Sequence, residues 1–237
     1  MIIENIVMSD CSNVKINFPR GIKTLGLISG LSNTAIPDSV TSIGGLRNCS
    51  NITIPDSVTS MRNMNCCSDI TIPDSVTSIG ELSNCSNITI PDSVTSIGNL
   101  VSCSNISIPD SITMLNGIYR GTLTIPASVT TIKEIDGENG TLFLRMESAI
   151  PPALAKATNL AKDDMLTVPE GATEAYKKHP VWGKFKNISE DPRLNKDSAP
   201  ASKGNAESNK EISELNKELN ELRKDFNEFR KDIANLM

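Results

Sequence analysis

Aromatic residues are nearly absent: they make up 3% of the 237 residues, with one Trp, two Tyr and five Phe. A core with so few rings has to be assembled from Ile, Val and Leu. Histidine occurs once, as His179, so no cluster of imidazoles can hold a metal or drive proton transfer. Basic residues are outnumbered, 23 Lys and Arg against 28 Asp and Glu, giving a formal net charge of −5. Between residues 32 and 118 the acids are Asp38, Asp56, Asp69, Asp74, Glu81, Asp92 and Asp110, against Arg47 and Arg62. A phosphate backbone needs clustered Lys and Arg, so nucleic acid is not an expected partner. No stretch approaches the roughly 18–20 apolar residues of a membrane helix, and membrane insertion is not expected. The start, MIIENIVMSDCSNVKINFP, lacks a basic segment followed by an apolar one, so no signal peptide is recognised.

What the chain has instead is repetition. SDITIPDSVTSIGELSNC at 68–85 is followed at 86–103 by the nearly identical SNITIPDSVTSIGNLVSC, and SNITIPDSVTSMRNMNCC precedes both at 50–67. Pro19, Pro37, Pro55, Pro73, Pro91 and Pro109 recur every 18 residues, and Pro126 follows at 17. A fixed period of this kind predicts a stacked architecture in which each unit buries its apolar side only against its neighbours. Within one copy Ile70 and Ile72 alternate around Thr71 as in a half-buried strand, Pro-Asp-Ser makes a corner, and Val76 to Ile79 is a second extended piece. Gly80 is expected to permit the next bend. The predicted fold is mainly β: a parallel β-solenoid of about seven short coils over residues 1–140, roughly 30–35 Å long at the usual strand spacing. Ile54, Ile72, Ile90 and Ile108 are expected inside. Cys49, Cys67, Cys85 and Cys103 occupy one position per coil, with Leu31 and Gly121 in that place in the outer copies. They read as a ladder of buried free thiols rather than disulfides or metal ligands, since no pair of C-x-x-C knuckles exists.

ITIPDSVTSIG followed by Cys resembles the leucine-rich repeat of the BspA-like family of bacterial surface proteins. LTVPEGATEAYKKHPVWGKFKNISE at 166–190 resembles the segment that often closes such arrays, through its VP-x-G, A-Y and W-x-x-F-x-N-I pattern. The family's coil is commonly longer, and leucine-rich repeats start at about 20 residues, so a straighter, slimmer prism than the usual horseshoe is expected. The six-residue spacing of Ile70, Val76, Leu82, Ile88, Val94 and Leu100 is also similar to hexapeptide left-handed β-helices. Those often belong to acyltransferases with a histidine among the coils, and these coils have none. Rows such as Thr53, Thr71 and Thr89 raise ice binding as a third reading, but Thr is simply a good outward strand residue.

Residues 141–190 hold the only Trp, Trp182, with Tyr176 and Phe185, and a short helix is expected around Thr173–Lys178, ended by Pro180. They are read as a small α+β cap over the open end of the solenoid, with His179 a surface residue beside a turn. DPRLNKDSAPASKGNAESN at 191–209 reads as a flexible linker. From 210 to 237 the period changes: Ile212, Leu215, Leu219, Leu222, Phe226, Phe229, Ile233 and Leu236 alternate at spacings of three and four, an a/d seam. Glu218 and Asp225 would meet Arg223 and Arg230 of a parallel neighbour, and Glu214–Lys217, Glu221–Lys224 and Glu228–Lys231 support the helix. A parallel homodimer or homotrimer is expected. Ile at a with Leu at d suits the dimer, whereas the Phe226 and Phe229 layers suit a wider trimeric core.

No catalytic residues, cofactor or metal are expected, because the ionisable groups are spread over corners and the thiols point inward. Comparing the coils with each other, IPDSVTSI hardly changes, whereas the segments 45–48, 63–66, 81–84, 99–102 and 117–120 differ. Their outward residues Arg47, Asn48, Asn63, Asn65, Glu81, Ser83, Asn99, Val101, Tyr119 and Arg120 form the candidate edge for a protein or host-surface ligand. The expected function is therefore non-enzymatic: recognition by a solenoid multiplied by a coiled coil. The expected setting is a fibre or decoration component of a phage virion, since such proteins assemble without export; a BspA-like adhesin on a bacterial cell surface is the alternative.

Overall fold

The 18-residue spacing becomes hydrogen-bond register. Thr24 pairs with Ser42, Ser42 with Ser60, and Ser78 with Ser96, always in parallel. The computed structural model describes residues 6–8, 18–138 and 140–194, and through them the chain winds as a β-solenoid of about nine turns.

Two columns of strands run up the coils. The first contains Ile6–Met8, Thr24–Ser29, Ser42–Arg47, Ser60–Asn65, Leu82–Ser83, the first halves of Asn99–Ser107 and Met114–Ile125, then Thr131–Asp136 and Ala153–Thr158. The second contains Ser68–Thr71, Ser86–Thr89, the second halves of those two long strands, and then Leu142–Met146, Met165–Val168 and Asn187–Glu190. Alternation along each strand sends one residue inward per coil. The in-register series Leu46, Met64, Leu82, Leu100, Ile118, Ile135 and Ala157 is buried throughout. Ile54, Ile72, Ile90 and Ile108 lie inside as the repeat predicts, each at most 6% exposed.

The Pro-Asp-Ser corner is a β-turn closed by backbone: the Val76 N–H donates to the Pro73 carbonyl at 3.1 Å, and Val58 to Pro55 at 3.0 Å. Its serine also ties successive coils together. Ser75 Oγ donates to the Val58 carbonyl at 2.5 Å and Ser93 Oγ to Val76 at 2.9 Å. Gly80 does not serve as a positive-φ bend. Its Cα faces the coil below so closely that a Cβ would lie 2.7 Å from the Arg62 carbonyl oxygen. Glycine is there for the close approach.

The cysteine ladder is inward: Cys49, Cys67, Cys85 and Cys103 are at most 1% exposed, and all are free thiols. Cys103 stands in register with Gly121, and Leu31 begins the ladder. Each thiol donates to a carbonyl two residues before it, as Cys85 does to Ser83 at 3.3 Å. Cys85 and Cys103 also reach the preceding coil, at Met64 and Leu82. Burial pushes the Cys103 thiol up to about 11. Cys67, flanked by the Cys49 and Cys85 thiols and buried, is also pushed up. On both sides of the ladder the chain enters the left-handed region: Asn48, Cys66, Asn84, Ser102 and Arg120 precede it, and Asn33, Asn51, Asp69, Asn87 and Asn105 follow it, all at φ between 49 and 60°. Asn and Asp tolerate that region best after Gly. The second set also zips: Asn51 Nδ2 donates to Asn33 Oδ1 at 2.6 Å, Asn87 to Asp69 at 2.9 Å, and Asn105 to Asn87.

The expected seven coils are too few. Beyond residue 125 the winding continues with a longer period: Thr167 stands over Ser189, and Asp136 under Thr158, each 22 residues apart. Residues 141–190 therefore add parallel strands to both columns before they close the end. Closure comes from the aromatic trio. Helix α1, Thr173–Lys178, carries buried Tyr176, whose hydroxyl donates to the Ser148 carbonyl at 2.9 Å. Trp182 is fully buried, donates to Pro152 at 2.8 Å, and meets Tyr176 edge-on and Phe185 stacked. His179 is more than a surface residue. It is half-buried, and its Nδ1 accepts the N–H groups of Val181 and Trp182, both at 3.2 Å.

The first residues assigned to the linker are also built in. Asp191 is 8% exposed and accepts from Arg145 and Arg193, each at 2.8 Å, and Leu194 is buried. The remainder of the linker and the whole 212–236 seam lie outside the described residues. Among the described residues no helix is long and apolar enough to cross a membrane.

Candidate recognition face

The first strand column gathers most of the candidate edge onto one surface. Arg47, Asn65, Ser83, Val101 and Tyr119 are successive partners in one row. Asn63 and Asn99 belong to the row two residues earlier, with Gly45 paired to Asn63 and Gly117 to Asn99. Glu81 joins that row by backbone contacts, its carbonyl accepting the Met64 N–H at 2.9 Å and its own N–H donating to Asn63 Oδ1 at 3.0 Å. Asn48 and Arg120 sit one residue further, at the left-handed corner. The two rows flank the buried Leu and Met series, so they point outward by strand alternation.

These ten residues are not equally available. Arg47, Asn48 and Asn63 are exposed, and most of the others are half-buried. Ser83 is an exception to the expected edge. It is 8% exposed, and its Oγ accepts from the Asn84 amide at 3.2 Å. It forms the floor of a shallow groove of about 350 Å³ whose walls include Leu27, Arg47, Asn63, Asn65 and Glu81. Leu27, 47% exposed, was not in the sequence-derived set. Its coil matches the repeat poorly, which hid its place in the row.

Further along, the face acquires a linked polar network. The ring of Tyr119 lies across Gly117, its Cε2 2.4 Å from where a Cβ would stand. Its hydroxyl donates to Glu134 Oε2 at 3.2 Å, and Lys156 Nζ donates to Glu134 Oε1 at 2.7 Å. Lys156 first, then Tyr119, hold the Glu134 carboxyl below its usual range, and the same contact raises Lys156. Burial and then Glu134 raise the Tyr119 phenol. Burial opposes ionisation of Asp136, but the Glu138 N–H, the Asn159 amide and the Thr158 hydroxyl hold it below the carboxylate range. Glu134, Asp136, Lys156 and Thr158 were missed because the period changes after Tyr119; the signal available was a Glu and a Lys 22 residues apart.

The opposite character belongs to the second column. Thr53, Thr71, Thr89 and Ser107 form an exposed, nearly uniform row. Among the described residues no group of three His, Cys, Asp or Glu side chains gathers as a metal site would require. No family model matches this chain, and no curated protein matches it. The likeness to BspA-like repeats therefore rests on the quoted motifs alone.

Proposed function

We propose that this protein is a non-enzymatic recognition module whose first strand column binds a host-surface ligand, and whose C-terminal heptads join parallel copies into a dimer or trimer. The observation that carries the reading is the contrast between faces. One sheet column repeats the same small hydroxyl residues from Thr53 to Ser107, while the other, beyond its Thr24, Ser42 and Ser60 row, changes from coil to coil along the rows through Arg47 and Asn63 and holds a groove walled by Arg47 and Glu81. A scaffold alone has no need of that asymmetry. Several heads held at one end would multiply weak single-site binding through effective concentration.

The setting we propose is a fibre or decoration component of a phage virion, for which terminal heptads and projecting heads are suited. A bacterial cell-surface adhesin of the BspA-like type is the alternative, favoured by the motifs at 68–85 and 166–190. The test is saturable binding of fluorescently labelled full-length protein to a panel of bacterial cells. Binding to at least one strain, reduced by Arg47→Ala with Asn63→Ala and Glu81→Ala, is the expected result. Absence of saturable binding across the panel contradicts it.

A further inference from the structure

We infer that the Tyr119 end of the variable face is a subsite for one ring of an uncharged saccharide; this rests on the recognition reading above and gives it a ligand class. Four in-register positions build it. Asn99, Gly117, Glu134 and Lys156 follow one another up the column, one per coil. Gly117 has no side chain, and the Tyr119 ring fills that space by lying back over it. Asn99 Oδ1 reaches to 2.9 Å from the same Cβ position, so the amide borders the ring on one side. Glu134 borders it on the other, held by the Tyr119 hydroxyl at 3.2 Å and by Lys156 at 2.7 Å. The result is an aromatic plate between an amide and a fixed carboxylate. Coils are about 4.8 Å apart, so the two polar flanks lie about 10 Å apart with the ring between them.

A pyranose has this complementarity: an apolar C–H face for the plate, and equatorial hydroxyls around its rim for the flanks. Contact between C–H groups and a ring face is weak singly, and hydrogen bonds at the rim set the orientation. The charges of the subsite favour a neutral ligand. Lys156 is already paired with Glu134, and the neighbouring Asp136 is itself a carboxylate that repels an acidic sugar. A protein partner fits less well, because protein interfaces centre on a desolvated apolar cluster. Here Val101, Tyr119 and the exposed Met114 are the large apolar side chains on the outer side of these strands, and the polar Asn99, Glu134 and Lys156 stand among them.

The experiment applies labelled full-length protein to an array of purified neutral and acidic bacterial polysaccharides, and to the cells used above. Wild-type protein is expected to bind at least one neutral polysaccharide, and that polysaccharide is expected to compete with cell binding. Tyr119→Ala should weaken binding at least tenfold while Tyr119→Phe retains most of it. Gly117→Ala keeps every polar group but places a Cβ 2.4 Å from the ring, and should weaken binding by lifting the plate. Unchanged melting temperatures confirm that the variants fold; if Tyr119→Ala alone is unstable, Gly117→Ala decides. Saturable cell binding that ignores Tyr119→Ala and Gly117→Ala, that is lost after protease treatment of the cells, or that follows acidic polysaccharides only, overturns the saccharide subsite and leaves the recognition reading standing. No binding to cells or array overturns both.

Discussion

A cysteine at the corner of four successive coils fills a small apolar space and gives its S–H to the carbonyl two residues before it, which also accepts an N–H from the neighbouring coil. Cys85→Ala removes both and should cost about 1–2 kcal/mol in a denaturant titration, the lower end for a buried truncation. Reactivity separates the ladder from its neighbour. Exposed Cys66 should be alkylated within minutes at neutral pH, whereas Cys49, Cys67, Cys85 and Cys103 should react only on unfolding. Rapid native labelling of the four, read by mass spectrometry, would contradict their burial. The Cys103 pKa is raised to about 11, against about 8.5 for a free thiol. Its contribution to stability is therefore complete below about pH 8.5 and fades as pH rises through the folded value. The flanking asparagines make a second residue-scale claim. Asn87 sits at φ 53°, so Asn87→Val should destabilise by about 1–3 kcal/mol, while Asn87→Gly costs less because Gly occupies that region freely. Equal losses for Val and Gly would mean that the hydrogen-bond ladder, not the backbone, decides.

At the scale of the element, the coils that copy each other were legible in the sequence because every copy had to meet the same constraints: inward Ile and Val, a Pro corner, a cysteine. The final coils were not, since their insertions fall between strands and stretch the period to 22 residues. A trace survives. Leu166-Thr167-Val168-Pro169 repeats Leu123-Thr124-Ile125-Pro126, and the Ala172 N–H closes on the Pro169 carbonyl at 3.1 Å as Val129 does on Pro126. The candidate face was legible in part, through variation between coils, but Ser83 on that edge is buried, and variation does not report burial. Nor does it show that Tyr119 leans over Gly117, which depends on a missing side chain two residues away. The last element carries a pH prediction. Asp191 is held far below the ordinary carboxylate range, by Arg193 first and also by Arg145. A depressed pKa contributes stability above the unfolded value of about 3.9 and loses it as pH falls. Thermal midpoints from pH 6 to pH 3 should therefore fall more steeply for wild type than for Asp191→Asn, with the two converging in acid. Parallel curves would show that the cluster is not the acid-sensitive element.

For the whole molecule, the proposed reading gives the solenoid the role of scaffold, the variable column that of contact and the coiled coil that of number. Leu219→Asp with Leu222→Asp puts charges into the a/d seam, where desolvation is costly, and should yield a monomer of 25.5 kDa with the solenoid still folded. Sedimentation equilibrium gives the mass directly, and a double variant with the wild-type mass removes the seam from the account. The most direct measurement of the central claim compares the two faces on one scaffold, by saturation binding of labelled full-length protein to the same cells. One variant carries Arg47→Ala, Asn63→Ala, Glu81→Ala and Tyr119→Ala on the variable column; the other carries Thr53→Ala, Thr71→Ala, Thr89→Ala and Ser107→Ala on the uniform one. The account predicts that the first loses at least tenfold in affinity and the second binds as wild type does. Loss of binding in the second variant with retention in the first would place recognition on the threonine row and contradict it.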